Sequence, residues 1–186
     1  MASPKRDELI QLADRLIREK GYNAFSFHDL AKAVGIKTAS IHYHFPSKVD
    51  LGVAVIHWQE QQLKGLIERV GNRPAAQQLE HFLAIYRPIH QQQQVCLVGS
   101  LAPDFFTLEP AMQAALQAFS ARMLAWVMAF LEAGRAQGQF VFSETVRSRA
   151  LLLVGGMVSA LQMSRLGLPS DFDTLQLTLR QQLSTP

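Results

Sequence analysis

The segment SFHDLAKAVGIKTASIHYHFPSK (26–48) constrains the fold more than any other part of the sequence, because it predicts two short helices separated by a glycine. Ser26 and Asp29 have the spacing of a capping box, with Asp where Glu or Gln is more usual, and this places a helix start at Ser26. Gly35 ends that helix, and Pro46 prevents the next one from continuing. Two short helices joined across a glycine are the sequence outline of a helix-turn-helix.

Helical patterns also flank this segment on both sides. The preceding helix carries apolar residues at helical spacing, namely Leu9, Leu12, Ala13, Leu16 and Ile17. Gly21 marks its end, and Ser47 starts a long helix that runs toward Gly71. Later runs are also helical, at about 75–89, after the glutamine tract 91–94, from Pro110 to Gly134 and Gly138, and at 144–165 and 171–183. Strand signals are almost absent, so the sequence predicts an all-α fold.

The stretch GNRP (71–74) is the best candidate for a domain boundary, because a Gly-Asn-x-Pro sequence breaks a helix and favours a turn. We therefore expect an N-terminal three-helix head over residues 1–50, a linking helix over 48–70, and a helical C-terminal domain over 74–186.

Composition excludes several classes of protein. Hydrophobic residues make up 48% of the chain and charged residues 18%, which is typical of a globular protein and not of a disordered one. The one cysteine, Cys96, excludes an internal disulfide framework and favours a reducing, cytoplasmic setting. The apolar stretch 150–163 is shorter than the roughly 20 residues of a membrane span, and the N-terminus lacks the apolar core of a secretory signal. We therefore expect no membrane association.

The second helix of a helix-turn-helix lies in the DNA major groove, and the side chains here suit that role. Polar groups that can bind bases or phosphates are carried by Lys37, Thr38, Ser40, His42, Tyr43 and His44. Ile41 and Phe45 lie four apart and should form the buried side. Lys48, in the first turn of the next helix, could meet a phosphate together with the backbone N–H groups around it.

Other functions for the histidines have less support. His42 and His44 are two residues apart, about 200° around a helix, whereas a shared metal would need the spacing H-x-x-x-H. No acidic residue lies in register with them, and no glycine-flanked nucleophilic serine occurs. We therefore expect no enzyme, no metal and no cofactor. Three alternatives stay open: a solvated helix with incidental histidines, a helical protein-binding adaptor, and a small all-α enzyme.

The chain from Arg6 to about Val55 resembles the DNA-binding domain of the TetR/AcrR family of bacterial transcriptional regulators, through REKGYNAFSFHDLAKAVGI, IHYHF and SKVDL. The resemblance implies an all-helical dimer that binds a palindromic operator in double-stranded DNA, usually as a repressor, and releases it when a small molecule binds. Carried over by position, it implies DNA contacts at Ser26, His28, Lys37, Thr38, Ala39, His42, Tyr43, His44 and Lys48. His42 departs from the tyrosine that is more usual there, and Phe27 replaces a small polar residue.

The second half of the chain offers two interpretations of Cys96. A buried cysteine usually behaves as a small hydrophobic residue. However, VCLVGSLAPDFFTLEPAMQAALQAF resembles a TetR subgroup in which a cysteine at this place responds to electrophiles or oxidants. Such a thiol needs a lowered pKa, from a helix N-terminus or a nearby cation.

The resemblance also implies an effector cavity and a dimer interface. The candidate effector residues are Phe82, Tyr86, Cys96, Phe105, Phe119, Met123 and Trp126, which could equally be packed core, and Phe106 belongs to the same aromatic set. The last two helices, which contain LLLVGGMVSALQMSRL and FDTLQLTLRQQL, are expected to pair with a second copy. Small residues that would allow close approach of two backbones are Gly155, Gly156, Ser159 and Ala160.

Overall fold

The computed structural model describes residues 4–183, and every regular element in that range is helical. The N-terminal helices are α1 (Pro4–Lys20), α2 (Phe27–Val34), α3 (Thr38–His44) and α4 (Lys48–Val70), with a 3₁₀ turn at Tyr22–Ala24. They are followed by α5 (Ala75–Ala84), α6 (Tyr86–Gln91), α7 (Leu97–Leu101), a 3₁₀ helix (Ala102–Thr107), α8 (Pro110–Ala136), α9 (Val146–Leu166) and α10 (Asp171–Gln181). The predicted all-α fold is confirmed.

The predicted start and end of α2 are confirmed. The Ser26 hydroxyl accepts a hydrogen bond from the backbone N–H of Asp29, whose carboxylate accepts one from the backbone N–H of Ser26, so the capping box is complete. Gly35 ends the helix with φ 70°, in the left-handed region where a side chain is disfavoured. A second box of the same kind, between Ser47 and Asp50, starts α4.

Two helix boundaries in the second half differ from the sequence prediction. The run expected at 75–89 is divided into α5 and α6 near Ile85, because Pro88 has no N–H to bond the carbonyl four residues back. The helix expected to end at Gly134 and Gly138 ends at Ala136, so it passes Gly134 and stops before Gly138. A Cβ at Gly134 would lie 2.1 Å from a ring carbon of Phe140 and 3.0 Å from Cβ of Ala75. This glycine therefore provides space for packing and does not stop the helix.

The chain forms two compact units. The first contains the chain up to Gln62 together with Leu97–Phe119, and the second contains Leu63–Cys96 together with the chain from Ser120 onward. The predicted functional boundary at 71–74 stays a prediction, because these units describe contacts within the chain and not function.

In the first unit, α7 and the 3₁₀ helix after it pack beside the N-terminal helices. The Ser100 hydroxyl donates a hydrogen bond of 2.6 Å to the carbonyl of Ile17 near the end of α1. The side-chain amide of Asn23 donates one of 3.1 Å to the Asp104 carboxylate. Buried Asp14 on α1 accepts hydrogen bonds from Arg18, at 3.0 Å, and from Gln59 on α4, at 2.9 Å. These bonds hold the segment that carries α2 and α3 in place.

In the second unit, an aromatic cluster forms the core. The ring centroid of Phe82 lies 6.1 Å from that of Trp126 and 6.2 Å from that of Phe130. The indole N–H of Trp126 donates to the side-chain oxygen of buried Gln78, and the Gln78 amide donates to the carbonyls of Gly71 and Arg73. The polar turn at 71–73 is thereby tied to the apolar core, because buried polar groups need hydrogen-bond partners.

By length and composition alone, α8 is long and apolar enough to cross a membrane. Core helices of soluble proteins have the same properties, and α8 buries Met112, Phe119, Trp126, Val127 and Phe130. Its apolar character is therefore accounted for by packing.

Candidate nucleic-acid interface

Helix α3 is held by two side chains and presents the others outward. Ile41 is 0% exposed and Phe45 is 1% exposed, as their four-residue spacing predicts, whereas Tyr43 between them is 85% exposed. The guanidinium of Arg6 on α1 lies 5.1 Å from the Phe45 ring centroid and covers that end of the core. Packing of these two side chains thus fixes one side of the seven-residue α3, and the exposed Tyr43 hydroxyl can meet another molecule.

The ten predicted DNA contacts differ in exposure. Seven of them are exposed, namely Ser26, His28, Lys37, Ala39, Ser40, His42 and Tyr43, and three are half-buried, namely Thr38, His44 and Lys48. Those from Lys37 to His44 lie on α3 or at its N-cap, where they form one continuous segment. Their roles in binding DNA stay predictions.

His42 is oriented by two neighbours. Its ring lies edge-on to Phe27 of α2, with centroids 5.0 Å apart, so the two positions that depart from the TetR/AcrR pattern contact each other. Its Nδ1 lies 3.2 Å from the carbonyl oxygen of Pro46. Because a carbonyl can only accept, Nδ1 carries the hydrogen in this arrangement, and Nε2 of the neutral ring is left as an acceptor.

Tyr43 and His44 lie edge-to-face, with ring centroids 5.1 Å apart. This contact restricts how the exposed phenol can turn. Because the ring is already restricted, binding of the Tyr43 hydroxyl to a partner would cost less side-chain conformational entropy.

Ser26 is engaged within the protein. Its hydroxyl donates to the Asp29 carboxylate at 2.7 Å in addition to its capping role. The hydrogen bonds from the Ser26 side chain and backbone hold the pKa of Asp29 below its ordinary value. Ser26 therefore serves first as the N-cap of α2. Its hydroxyl oxygen can accept one more hydrogen bond, which its predicted DNA contact would use.

Lys48 is engaged as well. Its ammonium donates to the backbone carbonyl of Phe25 at 2.5 Å, and it lies 4.6 Å from the ring centroids of both Tyr22 and Phe25. Burial lowers the pKa of Lys48, and the nearby Asp29 carboxylate opposes that shift.

The seven candidate effector residues fall in both compact units. Phe82, Tyr86, Cys96, Met123 and Trp126 belong to the second, and Phe105 and Phe119 belong to the first. Phe82, Tyr86, Phe119 and Trp126 are buried, whereas Cys96, Phe105 and Met123 are half-buried. Their role in binding an effector stays a prediction.

Two of these residues are electrostatic neighbours. Burial raises the pKa of the Tyr86 hydroxyl, and Cys96 adds to the shift in the same direction. Cys96 is half-buried and lies directly before α7, so its thiol is neither fully enclosed nor fully exposed.

The sequence prediction missed two features of the second unit. Phe130 belongs to the aromatic cluster, and its four-residue spacing from Trp126 was the signal that could have shown it. A polar cleft of about 600 Å³ lies between the glutamine tract and the end of α9, lined in part by His90, Gln93 and Arg165. His90 stacks on Phe172 with centroids 4.3 Å apart, a contact between distant residues that no local pattern indicates.

An apolar face on the last two helices is open to solvent. Its large exposed residues are Leu151, Leu152, Met163 and Leu166 on α9 and Leu177 on α10. Between them, a Cβ at Gly155 would meet no other atom within 4 Å, so the backbone of α9 is accessible there. Exposed large apolar residues, where they form a patch, mark an interaction site in soluble proteins.

Comparisons with known proteins agree with the helix-turn-helix. The family model described as "Bacterial regulatory proteins, tetR family" matches residues 9–55. The biofilm operon icaADBC HTH-type negative transcriptional regulator IcaR of Staphylococcus aureus is 49% identical over 43 residues. That match spans 23% of this chain and 23% of the relative.

Solved structures match over almost the whole chain. A TetR transcriptional regulator from Legionella pneumophila has a TM-score of 0.86 and 32% identity, with 99% of each chain covered. A transcriptional regulator of the TetR family from Agrobacterium tumefaciens has a TM-score of 0.90 and 28% identity, with 97% of this chain and 98% of the other covered. The resemblance therefore extends beyond the N-terminal head to the helices that follow it.

Proposed function

The chain belongs to the TetR family of transcriptional regulators, and on this premise we propose that it is a DNA-binding repressor that releases its operator when a small molecule or a thiol-modifying agent acts on its second half. The family and the solved structures indicate a regulator and not an enzyme. Such a protein would act in the cytoplasm, where its DNA is.

The observation that carries the proposal is the orientation of α3. Its apolar anchors Ile41 and Phe45 are buried, whereas the 85% exposed Tyr43 and the polar residues around it face outward. A short helix with this division fits the major groove, which is about 12 Å wide and accepts one helix. The residues of this segment that would contact bases or phosphates are Lys37, Thr38, Ala39, Ser40, His42, Tyr43 and His44. The Tyr43 hydroxyl could reach a phosphate oxygen.

The exposed face of α9 and α10 supports a homodimer. One helix-turn-helix reads few bases, whereas two of them about 34 Å apart can read a palindromic site in successive major grooves. In a two-fold symmetric dimer, the same surface of both protomers forms the interface. The exposed leucines and the open backbone at Gly155 would then be buried between the two protomers.

Release from DNA would follow from a difference in the effector's affinity for two conformers of the protein, one that binds the operator and one that does not. An effector shifts the protein toward a conformer only to the extent that it binds that conformer better. Helix α4 begins in the unit that carries α3 and ends in the other unit, as α8 also does. Because α4 directly follows α3, we expect the two units to be coupled through it. An effector that binds the released conformer about 100-fold more tightly, a difference of roughly 2.7 kcal/mol, would lower operator occupancy substantially.

The DNA-binding proposal can be tested without knowing the operator. Wild-type protein is used to select duplexes from a randomised pool, and the enriched duplex is then assayed by gel shift. We expect a palindromic sequence to be enriched, and the double variant Lys37→Ala/Tyr43→Ala to bind it at least about 100-fold more weakly. The variant Lys64→Ala, on α4 but far along the helix from the contact surface, is the matched charge control. If no sequence is enriched, the proposal is refuted.

A further inference from the structure

Phe27 is buried, yet it contacts an exposed residue of the proposed DNA surface. It is the first residue of α2 and is 9% exposed, whereas His42 on α3 is exposed. The two rings meet edge-to-face, with centroids 5.0 Å apart and an angle of 68° between their planes. A side chain of the protein interior thus borders one that faces outward.

The His42 ring is restrained a second time by a hydrogen bond. Its Nδ1 lies 3.2 Å from the carbonyl oxygen of Pro46, which follows the C-cap of α3. Because that carbonyl uses Nδ1, Nε2 is the ring nitrogen left to bind another molecule. The hydrogen bond alone would let the ring tilt about the bonded atoms, and the contact with Phe27 limits that tilt. The two restraints together determine where Nε2 points.

A contact with a base needs such restraint more than a contact with a phosphate does. The donors and acceptors at base edges have fixed positions in the major groove, and a hydrogen bond weakens steeply when its angle is poor. A phosphate presents oxygens on several sides, so it tolerates a wider range of side-chain orientations, and it carries no sequence information. A histidine that is held in orientation by a buried ring therefore fits the reading of one base pair.

We propose that His42 reads one base pair in the major groove, and that Phe27 is a positioning residue, which sets the orientation of His42 without touching DNA itself. This inference rests on the proposed function, because it concerns the specificity of the same surface. Both residues depart from the pattern of the TetR/AcrR family, so the pair gives this chain a determinant of specificity that the family resemblance does not imply.

The first test compares base preferences, starting from the duplex that wild-type protein selects. The gel shift is repeated with duplexes changed at one base pair at a time. We expect His42→Ala to lose a preference of about ten-fold or more at one base pair of each half-site. Phe27→Leu keeps an apolar side chain at the start of α2 but removes the ring. It should reduce the preference at the same base pair by about 2- to 10-fold, which corresponds to one aromatic contact, and leave the other base pairs unaffected.

Phe25→Leu is the matched control, because it makes the same substitution at another buried phenylalanine two residues earlier. The Phe25 ring contacts Tyr22 and the Lys48 ammonium, with centroid distances of 6.5 Å and 4.6 Å, and is not paired with His42 in the described part of the chain. Phe25→Leu should therefore affect all duplexes alike. Thermal unfolding shows whether each variant is folded at the assay temperature, and methionine replaces leucine at both positions if a leucine variant does not fold.

The second test is a double variant that separates positioning from direct contact. If Phe27 acts only through His42, adding Phe27→Leu to His42→Ala should not change the preference at that base pair any further, so the two changes are non-additive. If Phe27 touched DNA itself, removal of its ring would still alter a base preference in the absence of the histidine. A merely structural role would weaken binding to every duplex by the same factor.

The outcomes separate the inference from the proposed function. If wild-type protein selects no duplex, the proposed function fails. If it selects one but His42→Ala leaves every base preference unchanged, His42 reads no base and the inference is wrong. The inference is equally wrong if folded Phe27→Leu keeps the wild-type preference, weakens all duplexes alike or still acts in the His42→Ala background, or if Phe25→Leu causes the same loss. A reduced preference confined to the His42 base pair, with no further change in the double variant, supports it.

Discussion

Replacing Gly155 with alanine gives a prediction whose sign depends on whether α9 meets a second protomer. Within one chain, the added Cβ would have no atom within 4 Å. Alanine is favoured over glycine inside a helix by about 1 kcal/mol. An isolated protomer should therefore become more stable, with a melting temperature about 2–4 °C higher for a chain of this length.

The expectation changes if Gly155 lies in a close helix–helix contact of a dimer. Adding a methyl group to a well-packed interface costs about 1–3 kcal/mol, and a two-fold dimer contains the position twice. Taking about 1 kcal/mol for each copy, the dimer is destabilised by about 2 kcal/mol, which raises its dissociation constant roughly 30-fold. The same substitution thus stabilises the protomer and weakens the dimer.

The assay combines sedimentation equilibrium with thermal unfolding at several protein concentrations, because the melting temperature of a coupled dimer depends on concentration. Gly156→Ala is the matched control on the neighbouring residue. Its Cβ would lie 2.8 Å and 2.9 Å from the terminal carbons of Leu179 within the same chain. Its effect should therefore appear in the stability of the protomer.

An unchanged dissociation constant for Gly155→Ala, together with a higher melting temperature at every concentration, would refute close approach of two protomers at Gly155. A wild-type protein that stays monomeric at micromolar concentration would refute the whole proposed interface, because the exposed leucines of α9 would then have no second copy to cover them.

Four further predictions concern the N-terminal head and the thiol. Tyr43→Ala should weaken binding to every duplex about ten-fold or more. The melting temperature of the protein should not fall, since the side chain is 85% exposed. A lower melting temperature would show that Tyr43 has a packing role. Thr38→Ala should relax specificity at one or two base pairs by about 1–3 kcal/mol, and an unchanged selected sequence would remove Thr38 from the contact set. Cys96→Ser should abolish any release of DNA by an electrophile such as N-ethylmaleimide. The affinity of this variant for DNA should stay within about two-fold of wild type. Normal release would show that Cys96 is not the sensor. Hydrogen bonds with Ser26 hold the pKa of Asp29 below its ordinary value, so the ionised carboxylate stabilises the fold above the ordinary value, and this contribution disappears on acidification through the lowered pKa. Asp29→Asn should therefore be less stable at neutral pH and lose less stability in acid, as measured by thermal unfolding against pH.

The features that could be predicted from the sequence are those determined by local contacts. The capping box of α2 joins residues three apart, and the conformation at Gly35 depends on its own backbone. Ile41 and Phe45 are buried together because a helix brings residues four apart onto one face. For the same reason, the proposed contact residues on α3 could be named from the sequence alone.

Features that depend on residues far apart in the chain could not be predicted in the same way. Gly134 looks like a helix stop, but Phe140 and Ala75 occupy the space that a side chain would need. Pro88 was a local signal for the break between α5 and α6, and the continuous helix expected over 75–89 did not take it into account. Five of the seven candidate effector residues are aromatic, yet the seven are distributed over two compact units.

By itself, the sequence determined that this chain is all helical, where its helix-turn-helix lies and which side of α3 is buried, since capping and periodicity act within one or two turns of a helix. Only the tertiary structure decided that the Lys48 ammonium is enclosed by Tyr22 and Phe25, that α7 is bonded to the end of α1, and that α9 leaves an apolar face exposed. These features depend on contacts between residues far apart in the chain, which packing brings together and no short sequence pattern encodes.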